Sequence, residues 1–235
     1  MDPRQRLIVA LDVSTATAAR KIVAAVGDSA HAYKVGMQLY TAEGPAVVRE
    51  LISSGRRVFL DLKYHDIPNT TAAAVREAAN LGVSMLTIHA SGGGKMIRAA
   101  VEAAQATNPD LLVLAVTVLT SLDDVELGKL GVRGAVLDQV LRLAALALSN
   151  GCKGVEASAH EAAALREEFG EKYGQDFAIV TPGVRPAGSG MQDQARVVTP
   201  AEAIAAGSSH IVVGRPITDT LDPGAEARAI LAQIG

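Results

Sequence analysis

Cysteine is nearly missing from this chain: Cys152 is the only one in 235 residues. A lone thiol rules out an internal disulfide and makes a reducing cytoplasm the natural setting, with Cys152 read as a packing residue. Long hydrophobic runs are missing too. At the amino terminus Arg4 and Arg6 precede only Leu7 to Leu11 before Asp12 interrupts, which suits neither a signal peptide nor a membrane anchor. The stretch from Leu111 to Leu119 is apolar apart from Thr117, but it is too short to span a bilayer. Charge of one sign is also scarce. A formal net charge of −3 and no basic face give no reason to expect nucleic acid as a partner. No linker, low-complexity tract or second composition regime divides the chain, so residues 1–235 are expected to form one domain.

What is present is ample material for one sizeable core, with 49% hydrophobic residues. Eight short apolar, often β-branched runs recur at Leu7–Val13, Tyr33–Gln38, Val58–Lys63, Met85–Ala90, Leu111–Thr120, Gly154–Ser158, Ala178–Gly183 and His210–Gly214. Alanine-rich helical stretches separate them. Between Ala135 and Ser149, for example, Val136, Leu137, Val140, Leu141, Ala144 and Leu148 make an apolar face at helical spacing, and Asn150-Gly151 supplies a stop. Continuous apolar strands alternating with amphipathic helices call for a parallel sheet covered by helices. Eight such units in this length predict a (β/α)8 TIM barrel, with an open doubly wound sheet as the alternative.

The polar residues fall in a pattern that fits the barrel. Asp12, Lys34, Asp61 with Lys63, His89, Thr120, Ser158, Arg185 and Arg215 all lie at or just past the carboxyl ends of successive apolar runs. Barrel enzymes build their sites on that face, so these residues are expected to converge on one pocket.

The densest feature is Asp61-Leu62-Lys63-Tyr64-His65-Asp66-Ile67-Pro68-Asn69-Thr70. Residues two apart in a strand point the same way, so Asp61 and Lys63 should project together from the end of the third run, with Asp66 in the loop beyond. Pro68 should stop the extended segment, and Asn69 or Thr70 should cap a helix over Thr70–Leu81 that ends at Gly82. Charges this close to a core are costly unless they serve one another or a ligand. A solvated salt-bridge cluster is the bland alternative.

The pattern D-x-K-x-x-D-I-P-N-T resembles the orotidine 5'-monophosphate decarboxylase family. The likeness extends to Ala10-Leu11-Asp12, Tyr33-Lys34-Val35-Gly36, His89-Ala90, Leu119-Thr120-Ser121, Thr181-Pro182-Gly183-Val184-Arg185-Pro186, Asp193-Gln194-Ala195-Arg196 and Val213-Gly214-Arg215-Pro216-Ile217, covering essentially the whole chain. The resemblance implies decarboxylation of orotidine 5'-monophosphate to UMP by a cytoplasmic homodimer without metal or other cofactor. Lys34, Asp61, Lys63 and Asp66 would form a Lys-Asp-Lys-Asp array, Lys63 delivering the proton to C6 of the pyrimidine. Asp12 and Lys34 would hold ribose hydroxyls, and Thr120 and Ser121 would read the pyrimidine edge. Ile67 and Thr70 would also be substrate-binding, with Asp66 and Thr70 contributed across the subunit interface.

Arg185, Gly214 and Arg215 follow the seventh and eighth runs, where barrels commonly bind phosphate. The polar loop between Pro186 and Thr199 is long for a barrel connection and reads as a lid, in which family resemblance maps the residue bridging phosphate and pyrimidine to Gln194. Each of these residues has a plainer reading. Asp12 could cap a helix starting near Ser14, Thr120-Ser121 could be an ordinary turn, and His89 could be a packing histidine. Glu156 departs from the pattern, because the family usually has an apolar residue there. The rival functions are a magnesium-dependent sugar-phosphate decarboxylase or aldolase of the same superfamily, and a non-catalytic nucleotide-phosphate-binding barrel.

Overall fold

The computed structural model describes residues 2–174, 177–186 and 198–235. The apolar runs become eight parallel strands: β1 (Leu7–Ala10), β2 (Ala32–Gly36), β3 (Arg57–Tyr64), β4 (Met85–His89), β5 (Leu112–Val116), β6 (Gly154–Glu156), β7 (Ala178–Thr181) and β8 (His210–Val213). Each strand pairs with its neighbours in sequence, and β1 closes on β8 through Leu7↔Ile211, Ile8↔Val212 and Val9↔Val213. That last pairing makes the sheet a closed barrel and excludes the open doubly wound alternative.

Several runs overshoot the strands they predict. The fifth was expected to reach Thr120, yet β5 ends at Val116 and Thr120 with Ser121 lies in a turn beyond it. Apolar residues such as Val118 remain buried after the ladder ends, so hydrophobicity alone does not mark where pairing stops.

Burial on both faces hides a strict alternation. Leu7, Val9, Tyr33, Val35, Val58, Leu60, Leu86 and Ile88 point outward and pack against the helices. Ile8, Ala10, Ala32, Phe59, Met85, Leu114, Ala178, Val180 and Val212 point inward and fill the barrel as a separate cluster. Gly154 belongs to this interior. A Cβ there would lie 2.5 Å from the Ala178 carbonyl oxygen and 2.8 Å from Leu114 Cδ2, so only glycine lets the strands close at that level.

The helix predicted over Ala135–Ser149 spans Val136–Ser149, but its buried stripe is rotated from the expected one. Leu143 and Ala147 are buried, while Leu137 is 40% exposed, because the apolar arc is wide enough to seat in more than one rotation. The helix after β3 starts earlier than predicted and spans Pro68–Asn80. Neither Asn69 nor Thr70 caps it. Ile67 occupies the cap position with no side-chain hydrogen bond, and Pro68 takes the first helical position, where its fixed φ and missing N–H cost nothing. Among the described residues, no helix is long and apolar enough to cross a membrane.

Candidate active site

The inward rows that are apolar at the base of the barrel turn polar two residues further on. Above Ala32 stands Lys34, above Phe59 stands Asp61, above Met85 stands Thr87, and above Gly154 stands Glu156. Strand periodicity therefore delivers these side chains to the mouth.

Lys63 arrives by a different route. Opposite β4, Phe59 and Leu60 pair with Met85 and Leu86, but the next pairing is Tyr64 with Ile88, so β3 bulges. Lys63 sits in the bulge at φ 51°, the one non-glycine residue with positive φ among the described residues. A lysine in this region costs about 1–2 kcal/mol, so its surroundings must hold it there. Its N–H donates to Thr87 Oγ1 at 3.0 Å, and the same hydroxyl donates to Asp61 Oδ1 at 2.9 Å. Thr87 thus braces both charged residues. The sequence reading missed it, and the only available signal was a hydroxyl in an apolar strand two places before His89.

The bulge brings Lys63 Nζ to 2.5 Å from Asp61 Oδ1 and 2.9 Å from Glu156 Oε1. Lys34 Nζ bonds Asp12 Oδ1 at 2.8 Å and lies 3.7 Å from Asp61 Oδ2. Gly36 makes room for this crossing, since a Cβ there would meet Lys34 Nζ at 2.9 Å and Asp12 Oδ1 at 3.1 Å. The plain alternative for Asp12 fails: Thr15 caps the helix Ala16–Val26, and Asp12 faces Lys34 instead.

Burial sets the electrostatics. It opposes the charged form of Asp61, yet the Lys63 and Lys34 ammonium groups and the hydrogen bonds from Lys63 and Thr87 outweigh it and hold the carboxyl below its ordinary pKa. Burial likewise opposes the Lys63 ammonium, and Glu156 with Asp61 more than compensates, raising its pKa. Glu156 behaves differently. Burial first and the Asp61 carboxylate second push it up to about 7, against the pull of Lys63 and Lys34. His89 is half-buried and lowered by burial, then by His65 and Lys63; its ring packs beside His65 at 5.3 Å between centroids, which favours the packing reading.

A cavity of about 520 Å³ opens over this cluster, within the usual size of a small-molecule site. It gathers Asp12, Lys34, Asp61, Lys63, Thr120, Ser121, Arg185, Gly214 and Arg215 as the sequence implied, together with Glu156. Arg185 is buried after β7, and Arg215 opens the short helical turn after β8. Asp66, Ile67 and Thr70 do not join them within one chain. All three are exposed, Asp66 Oδ1 accepts the N–H of Ile67 at 2.6 Å, and Asp66 with Ile67 lines a separate shallow depression beside Ser91 and Gly92. Gln194 lies outside the described residues. Among the described residues, no group of three or more His, Cys, Asp or Glu is arranged to hold a metal ion.

A closed barrel whose charged side chains converge at the carboxyl ends of its strands, over an otherwise apolar interior, defines a (β/α)8-barrel enzyme. The particular family follows from comparison with known proteins. The chain belongs to the Orotidine 5'-phosphate decarboxylase / HUMPS family, whose model matches residues 5–230. It is 51% identical to the orotidine 5'-phosphate decarboxylase of Halorhodospira halophila over 229 residues, covering 97% of this chain and 95% of the relative. It is 47% identical to that of Hydrogenovibrio crunogenus over 235 residues, covering 100% and 98%. The crystal structure of orotidine 5'-phosphate decarboxylase from Lactobacillus acidophilus superposes with a TM-score of 0.85 at 40% identity, covering 98% of this chain and 99% of that one.

Proposed function

We propose that this protein decarboxylates orotidine 5'-monophosphate to UMP and carbon dioxide, the closing step of pyrimidine nucleotide synthesis, with Lys63 as proton donor and no cofactor. The carrying observation is the buried ammonium of Lys63, held at the cavity by Asp61 and Glu156 and cationic beside the Asp61 carboxylate. In the reaction the bond from C6 to the carboxylate carbon breaks, its electron pair stays on C6, and a Lys63 N–H proton moves to that carbon. Water then reprotonates the amine. The ammonium charges of Lys34 and Lys63 stabilise the developing carbanion without reorganising, since Asp12 and Asp61 already hold them in place.

The rest of the cavity supports the same substrate. Arg185 and Arg215 suit a phosphate dianion through charge-assisted hydrogen bonds, with Gly214 giving close backbone approach. Asp12 and Lys34 suit ribose hydroxyls, and Thr120 and Ser121 the pyrimidine edge. Gln194 completes the set as the residue that bridges phosphate and base. Asp66 and Thr70 serve the site of a second copy in a homodimer, a reading supported by their exposure, and Ile67 between them is 67% exposed. Nucleotide synthesis suits the cytoplasm, and neither nucleic acid nor membrane is a partner in this reading.

The test is direct: the ultraviolet absorbance of orotidine 5'-monophosphate is followed on mixing with purified protein, with and without EDTA. Turnover insensitive to EDTA is expected. No turnover would overturn the reading, and turnover abolished by EDTA would replace it with the metal-dependent sugar-phosphate relatives' mode of action.

A further inference from the structure

Asp12 and Asp61 each have a place in that reading, whereas Glu156 has none beyond its ion pair with Lys63. It faces inward at the end of β6, buried, on the wall of the cavity. Oε1 accepts from Lys63 Nζ at 2.9 Å, while Oε2 is buried with no hydrogen-bond partner among the described residues. A buried carboxylate oxygen without a donor is costly. The same oxygen carrying a proton no longer bears that charge and becomes a hydroxyl donor.

Its charged neighbours are Asp61 and Lys63 on β3 and Lys34 on β2. On either side, β5 leads to Thr117, whose hydroxyl donates to the Glu156 carbonyl at 3.2 Å, and β7 pairs through Val180; neither adds charge there. Across the mouth, β4 ends in His89, and the loops after β1, β7 and β8 bring Asp12, Arg185 and Arg215 to the same cavity. At the base of the mouth, Lys34 offsets Asp12 and Lys63 offsets Asp61. An ionised Glu156 leaves an excess negative charge where the substrate must seat a carboxylate, and both carboxylates then compete for the one lysine. A protonated Glu156 leaves no excess.

We infer that Glu156 is a proton-linked positioning residue for Lys63: neutral, it frees the ammonium to face a ligand's carboxylate, and ionised, it draws the ammonium to itself and repels that ligand. The inference rests on the decarboxylase reading and adds a dependence of carboxylate binding on the proton carried by Glu156. Burial and Asp61 place that proton's loss near neutrality, where the effect is measurable.

Glu156→Gln keeps the shape and an acceptor for Lys63 but cannot ionise. The measurement is kcat/KM for orotidine 5'-monophosphate from about pH 5.5 to about pH 9 in both proteins, where ionisation of the substrate phosphate is shared and cancels in the ratio. The wild-type to variant ratio should stay level on the acid side and fall about tenfold per pH unit above neutrality. The corresponding ratio of affinities for UMP, which lacks the carboxylate, should change far less. A ratio for the substrate that is constant across the range overturns the inference. A second measurement needs no variant: in wild-type protein labelled with 13C at the glutamate carboxyls, one signal should titrate near neutrality. Glutamates that all titrate in the ordinary acid range would also overturn it. Wild-type protein inactive at every pH would instead overturn the decarboxylase reading.

Discussion

The floor and the mouth of the barrel are built from the same inward rows of the same strands, yet they obey opposite rules. At the floor, Ile8, Ala32, Phe59, Met85, Leu114, Ala178 and Val212 interlock without a charge among them. One step up, β2, β3, β4 and β6 present Lys34, Asp61, Thr87 and Glu156, while β1, β5 and β7 stay apolar with Ala10, Val116 and Val180. The floor gains from every side chain it hides, roughly 1.5–3 kcal/mol for a large aliphatic or aromatic one. The mouth gains nothing from hiding a charge alone, and each of its ions persists because a partner of opposite sign lies within 4 Å. Stability and chemistry therefore occupy separate layers, and substitutions should separate them.

The largest effect on turnover is expected at Lys63. Lys63→Ala should lower the decarboxylation rate on the order of a thousandfold or more while UMP binding falls only modestly, because the proton is needed in the reaction and not in the complex. Binding that falls in step with the rate would remove Lys63 from that role. Next comes the completeness of the mouth within one chain. Mixing Lys63→Ala with Asp66→Asn, under subunit exchange verified with tagged chains, should restore about a quarter of wild-type activity, since half the dimers are mixed and each holds one intact site. Activity no higher than that of the separate variants would return Asp66 to its own chain.

Arg215→Ala should cost less, reducing affinity and turnover together for the phosphorylated substrate and changing little for the phosphate-free nucleoside. Equal proportional losses on both would show that Arg215 acts elsewhere. The smallest effect on turnover belongs to the floor. Leu114→Ala should cost about 2–5 kcal/mol of stability, read from the denaturant midpoint, with kcat per folded molecule nearly unchanged. A rate loss as large as that of Arg215→Ala would show that the two layers are not separable.

Much of this division is legible in the chain. Apolar runs separated by helical stretches suffice for the barrel, because parallel strands buried on both faces need continuous hydrophobicity. The charges at the run ends indicate most of the cavity's polar lining, since that is the face on which barrel strands present their termini, but His89 and Ser158, expected with them, do not line it, and Ser158 caps the following helix instead. Local geometry is less legible. The bulge that turns Lys63 inward depends on how β3 registers against β4, and no residue in Asp61–Asp66 announces it. Glu156 is conspicuous as an acid in an apolar run, but its meeting with Lys63 depends on barrel curvature bringing β6 opposite β3. The start of the helix at Pro68 shows a local rule overriding another: proline at the first helical position displaced the polar caps one and two residues later.

Closure of β1 on β8 also sets when the catalytic apparatus can exist. Asp12 follows the first strand and Arg215 the last, and Arg6 Nη2 reaches the Ser208 carbonyl at 2.9 Å to tie the two ends of the circuit. On a growing polypeptide the segment that carries Asp12, Lys34, Asp61 and Lys63 emerges early and must wait for β8 before its cavity has a final wall. Such distant pairing comes late because the whole intervening chain must be ordered around it. A chain whose ring is still open thus lacks a complete cavity wall, whatever side chains it already carries.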